Sequence, residues 1–279
     1  MGFNMNEILK KDKGITLIEL LVALVISGLL LAAVYRTFIN QQKTFVVQGQ
    51  VVDMQQNMRV AINRMMTEIR MAGFGNVPMV LPVTLGGKTF NDVVNPDTPA
   101  AGALTIVSAM GSTTLTGIPA TNQITVNSLT DSQGNTLFDT GEKRYISIGG
   151  VESYTITNIA GTTITLSRTL TYNHPVNTPV FGIRAISYQV GMVSGIPTLL
   201  RDENTGAGGQ ALADNIETLL FGYLDANGNP TANPPDIRVV RVTLKNTTNI
   251  SDPDYKSDGG YRKRQIATNV HLRNMGLEL

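Results

Sequence analysis

The sequence has 279 residues, 42% of them apolar, and carries 22 Lys and Arg against 21 Asp and Glu. That is enough chain for one sizeable domain with an appended element, or for two small domains, and the balanced charge gives no reason to expect a polyanionic partner. The absence of cysteine excludes disulfide staples, thiolate metal sites and cysteine nucleophiles, and His174 and His271 fall in no metal-binding spacing.

Local charge is more informative than the total. Lys10, Lys11 and Lys13 stand against Glu7 and Asp12 at the start, and residues 35–72 hold five basic and two acidic groups. Between these regions, Ile15 to Val34 contains only three polar residues, Thr16, Glu19 and Ser27. Twenty residues at the helical rise reach about 30 Å, the thickness of a bilayer's hydrocarbon core. No other window is as apolar, so the chain is expected to cross a membrane once, over residues 15–34. The lysines favour a cytoplasmic N-terminus, with Arg36 and Lys43 opposing them. The run is too long for an ordinary secretory signal, and Leu31-Ala32-Ala33 is a poor cleavage site.

Glu19 argues against a simple anchor. An acidic side chain in an apolar helix costs about 2.5 to 3.5 kcal/mol on insertion unless it is paired, protonated or close to the interface. A cut between Gly14 and Ile15 would create an α-amino cation at similar depth, able to pair with the Glu19 of a neighbouring subunit.

The run Lys13-Gly14-Ile15-Thr16-Leu17-Ile18-Glu19-Leu20 resembles the processing motif of type IV prepilins and type II secretion pseudopilins. The resemblance implies that residues 1–14 are a leader. It further implies that a prepilin peptidase cuts between Gly14 and Ile15 and methylates the Ile15 amine, and that Glu19 guides docking. Most members of that superfamily carry Phe where this chain has Ile15.

No proline occurs from Ile15 to Val77, and Val51, Met54, Met58, Ile62, Met65 and Ile69 recur at spacings of three and four. The pattern predicts one amphipathic helix over residues 15–72, about 87 Å long, whose distal half packs on its own domain. The proximal half is left needing neighbours, which is a physical argument for polymerisation. The methionine stripe reads as core. Gly28 and Gly49 read equally well as kink points or as sites of close helix packing.

Gly73-Phe74-Gly75 should end the helix, with Pro78, Pro82, Pro96 and Pro99 marking a loop-rich connection over 73–102. From 103 to 279 the period changes to two. Strands are expected at Leu104 to Ser108, Gln123 to Val126, Tyr145 to Ile148, Tyr154 to Ile159, Thr162 to Ser167 and Ile183 to Val190. Three more should follow at Thr218 to Leu224, Ile237 to Lys245 and Gln265 to Leu272. Ala160-Gly161 reads as a hairpin turn and Asn227-Gly228 as part of another connection, with at most a short helix around Ala211 to Asn215. The fold class expected is therefore α+β and pilin-like, a long N-terminal helix packed on an antiparallel β-rich domain.

The segment from Arg64 to Gly73, with Glu68-Ile69-Arg70-Met71-Ala72-Gly73, resembles PilW-type minor pilins, relatives of the J-type minor pseudopilins. Leu212 to Glu217, Phe221 to Asp225, Ile237 to Val242 and Leu272-Arg273-Asn274 carry the same resemblance; residues 75–205 carry none. It implies a minor subunit of a type IV pilus, priming assembly or sitting at the tip. Its partners would be the prepilin peptidase, the other minor pilins, the major pilin and the inner-membrane assembly platform. The chain would be single-pass in the inner membrane, bulk periplasmic, before assembly and at the pilus or cell surface afterwards. The alternatives are a minor pseudopilin of a type II secretion system and a membrane-anchored adhesive protein that never polymerises.

Other motifs point to less. Gly206-Ala207-Gly208-Gly209-Gln210-Ala211 with Asp225 imitates a dinucleotide fingerprint, but a polar run from Arg201 to Thr205 stands where a buried strand should lead in. Asp225, Asn227 and Asn229, like Asp252, Asp254 and Asp258, offer oxygens that suit calcium, although the glycine falls at the fourth rather than the sixth position of an EF-hand loop. These read as solvated turns, so no cofactor is expected. Arg262-Lys263-Arg264 is too short a basic run to predict nucleic acid. No hydrolase, zinc-protease or P-loop motif is present, and the chain is not expected to be an enzyme.

Overall fold

A computed structural model describes residues 14–75, 77, 81–85, 87–141, 143–252 and 254–275. The leader lysines and Pro78 lie outside the described residues. The fold class is the one expected: one long apolar N-terminal helix, α1 (Leu17–Arg70), followed by an antiparallel β-rich region. By its internal contacts the chain divides into two units, Met1–Gln50 and Val51–Leu279. In the first unit the helix exposes many apolar side chains, among them Leu17, Leu24, Leu31, Phe38 and Phe45. Gly28 and Gly49 lie within continuous helix.

In the second unit the stripe of Met54, Met58, Ile62, Met65 and Ile69 is buried, each residue contributing about 1.5–3 kcal/mol relative to exposure. The helix stops where the chain turns left-handed at Gly73 (φ 78°). There the Gly73 N–H donates to the Val107 carbonyl at 3.0 Å and the Asn274 amide donates to the Ala72 carbonyl at 3.3 Å. These bonds tie the exit of the helix to the β-rich region, where the last carbonyls of a helix have no partner within it.

Three short strands occupy the stretch expected to be loop: β1 (Val83–Leu85), β2 (Lys88–Phe90) and β3 (Val94–Pro96). Then come β4 (Leu104–Thr114), β5 (Gln123–Thr125), β6 (Tyr145–Ile148), β7 (Glu152–Ala160), β8 (Thr163–Leu166) and β9 (Pro179–Val193). The last five are β10 (Ile196–Asp202), β11 (Gln210–Asp214), β12 (Ile216–Leu224), β13 (Val239–Thr247) and β14 (Lys263–His271). Among the described residues β1 and β2 form a hairpin, β12-β13-β14 a three-stranded sheet, and the rest a nine-stranded sheet.

The long strand β9 organises the large sheet. One of its edges pairs with β4 from Leu104↔Tyr188 to Thr114↔Pro179. Its other edge is shared, with β10 taking Ser187 to Val193 and β6 taking Val180 to Gly182. The expected strand, Ile183 to Val190, stops short of both ends of β9, which runs on through Gly182 and Gly191. Both are sites of close approach: a Cβ at Gly191 would stand 2.7 Å from Leu200 Cδ1, and one at Gly182 would stand 3.0 Å from the Leu137 carbonyl oxygen.

Two hydrophobic cores follow from this division. The α1 stripe packs with Leu104, Ile106, Ile186, Tyr188 and the inward side chains Val240, Val242 and Leu244 of β13. A second core, built from Leu115, Ile124, Phe138, Ile146, Ile164 and neighbours, fills the β5 to β8 end.

One expectation is corrected. The short helix expected at Ala211 to Asn215 is strand β11, paired with β10 through Leu199↔Ala213, and the chain turns at Asn215 (φ 60°). Ala-Leu-Ala has good helix propensity, but an open β10 edge offers backbone partners and a buried position for Ala213, and tertiary context wins. The hairpin near Ala160 is present, centred one residue later on Gly161 and Thr162.

Candidate functional site

The residues expected to carry processing and docking sit at the start of α1. Thr16 immediately precedes the first helical residue, where its side chain can satisfy an amide that the helix cannot. The Glu19 N–H donates to Thr16 Oγ1 at 3.3 Å, and both the Thr16 N–H and its hydroxyl donate to Glu19 Oε2, at 2.9 and 2.8 Å. This is a reciprocal capping box, three residues apart. The carboxylate thus has a local use that the sequence reading missed, although the Thr-x-x-Glu spacing was there to signal it. Gly14 is exposed, and Ile15 and Leu17 are 78% and 81% exposed. From this start the helix is long and apolar enough to cross a membrane, and none of its most apolar window is buried.

Two buried polar clusters lie in the second unit, and neither was legible beforehand. In the first, Glu68 faces inward from α1 among the methionines. Arg201 of β10 donates to both of its oxygens, Nε at 3.0 Å and Nη2 at 2.9 Å; Tyr188 of β9 donates to Oε2, and Arg64 reaches Oε1 at 2.7 Å. Burial would push this carboxyl up, but the hydrogen bonds from Arg201 and Tyr188 outweigh it and hold the group below the usual carboxylate range. Burial and then the Glu68 charge push the Tyr188 phenol up.

In the second cluster Glu152 on β7 accepts from Tyr154, from the Thr171 N–H at 3.0 Å, and meets His174 Nε2 at 2.5 Å. Its bonds tie the Ser167 to Thr178 segment to the sheet. Together they act as a latch that holds this segment against β7.

The remaining motifs are used structurally. Gly206 to Gly209 links β10 to antiparallel β11, so no helix begins where a dinucleotide phosphate would sit. The polar run before it is in part the buried end of β10: Arg201, Asp202 and Asn204 are all buried. Asp225 Oδ1 accepts the N–H groups of Asn227 and Asn229, both at 2.8 Å. Asp252 is paired with Arg262 at 2.8 Å, and Asp258 lies 3.6 Å from Lys263. Among the described residues no group of three or more His, Cys, Asp or Glu side chains is placed to hold a metal ion.

The family model of the prokaryotic N-terminal methylation motif matches residues 9–35. Neither a curated protein nor a solved structure matches the chain. The match covers the basic leader, Gly14, Ile15, the Thr16–Glu19 box and the apolar span, and it does not extend to the rest of the chain. The chain therefore carries a type IV pilin-like leader motif on a helix able to cross a membrane, joined to an antiparallel β-rich domain.

Proposed function

We propose that this chain is a minor pilin of a type IV pilus, acting by packing rather than by catalysis and without a cofactor. The observation that carries the reading is the methylation-motif match over residues 9–35, placed on a helix whose apolar surface is left uncovered. In this reading a prepilin peptidase cuts between Gly14 and Ile15 and methylates the new amine. The subunit waits in the inner membrane with its β-rich region in the periplasm, then enters the filament near its tip. There the rods of the other minor pilins and the major pilin cover residues 17–50. Glu19 Oε2 serves the Thr16 cap, while Oε1, which has no partner among the described residues, can accept a cation such as the Ile15 amine of a neighbour.

The test is the mass of the N-terminal peptide of the protein isolated from its native membranes. A peptide beginning at N-methylated Ile15 is expected; one beginning at Met1 would sink the assembly reading and leave a membrane-anchored binding protein. A deletion strain that loses pili but still secretes distinguishes the pilus from a type II secretion pseudopilus, for which the opposite loss is expected.

A further inference from the structure

Arg184, in the middle of β9, is a half-buried cation with no matched anion. Its Nε is buried and has no hydrogen-bond partner among the described residues. No carboxylate among the described residues comes within 4.0 Å of its guanidinium. Burial weakens its hold on its proton, and it stands in the combined field of Glu68, Arg201, Glu203 and Arg64.

Both nearby carboxylates are already engaged. Glu68 takes Arg201, Arg64 and Tyr188, and Glu203 takes Arg201 Nη1 at 2.7 Å. Arg64, Arg184 and Arg201 thus face Glu68 and Glu203, three cations against two anions. Buried polar groups in stable proteins are almost always paired, so a cation left over in such a cluster calls for an anion. The cluster is also open to the outside, since the side chains of Arg64 and Glu203 are 52% and 46% exposed.

We propose that Arg184 is a docking point for an acidic side chain of a partner protein, whose carboxylate supplies the third anion of the cluster. The planar guanidinium fork suits a carboxylate, and a partly desolvated arginine is the kind of group on which binding energy concentrates. A free anion would give up its hydration for one ion pair. A side chain presented by a partner has its ordering cost shared with the rest of an interface. The contact lies on the β-rich unit, and it holds whether or not the leader is cut at Gly14.

The test uses the full chain with Arg184→Lys in native membranes, treated with a water-soluble carbodiimide. The reagent condenses an amine with a carboxylate in contact, with net loss of water; arginine does not react. The expected product is an isopeptide between position 184 and an Asp or Glu of another protein, absent from the wild type. A link confined to Glu68 or Glu203, or no link, overturns the proposal. In a second arm the purified chain carries Arg184→Met. Removal of an unmatched cation should raise its unfolding midpoint above that of the wild type. A lower midpoint or failure to fold would show that the arginine is satisfied within its own chain.

Discussion

The imidazole of His174 and the carboxylate of Glu152 meet at 2.5 Å although 22 positions separate them, and each side chain is only 4% exposed. The contact closes the Ser167 to Thr178 segment onto β7, with Tyr154 and the Thr171 N–H on the same carboxylate. Burial alone would raise the Glu152 proton affinity, but these donors more than offset it and the group is held below its ordinary value of 4.5. Its contribution to stability is therefore full above that value and lost as pH falls through the lower folded one. Glu152→Gln should cost about 1–3 kcal/mol at neutral pH, because an amide cannot accept from every donor present. The difference from wild type should shrink on acidification, which thermal melts of the full chain between neutral and strongly acidic pH would measure. An unchanged difference at low pH would contradict the latch.

Glu68 makes the same kind of bond between α1 and the large sheet. Glu68→Ala should cost about 3 kcal/mol, since it leaves the buried Arg201 with only the half-exposed Glu203 as its anion. Tyr188→Phe, which removes one donor, should cost about 1–3 kcal/mol. Because both act on one network, Glu68→Ala and Arg201→Met together should lose less than the sum of the single changes. Denaturant unfolding of the four variants checks this; strict additivity would mean that the groups do not share their energy.

Gly75 (φ 80°) is a position of close approach, where a Cβ would stand 2.6 Å from that of Ala109. Gly87 has nearly the same backbone (φ 77°) with open space around it. Alanine at Gly87 should cost about 1–2 kcal/mol, from the backbone conformation alone. Alanine at Gly75 should cost more, because the contact between the helix end and β4 must also shift. Equal losses in thermal melts would argue against that contact.

What the sequence made legible was local. The methionine stripe, its glycine stop and the strand Tyr145 to Ile148 could be read because period and punctuation lie within a few residues of each other. Strand β10 was hidden by Pro197 and by Arg201 and Asp202, polar residues that look solvated until their partners are seen. The partner of Arg201 is Glu68, 133 positions away, and nothing near either residue announces the other. The same distance problem hid Glu152 and His174. At the helix start, by contrast, the leader motif and the capping box both lie within a handful of residues. The motif was read and the cap was not, because Glu19 was weighed only as a charge in a membrane.

Those two roles of Glu19 can be separated. Glu19→Gln keeps an oxygen that can accept from Thr16 but removes the charge, whereas Glu19→Val removes both. Thr16→Ala leaves the charge and breaks the cap, a change worth about 1 kcal/mol at a helix start. If Glu19 pairs with the amine of a neighbouring subunit, Glu19→Gln and Glu19→Val should both abolish incorporation into filaments while Thr16→Ala reduces it only slightly. The amount of each variant recovered in sheared filaments, relative to the amount in the membrane, is the measurement. Normal incorporation of Glu19→Gln together with failure of Thr16→Ala would reverse the assignment and make the carboxylate a helix cap first.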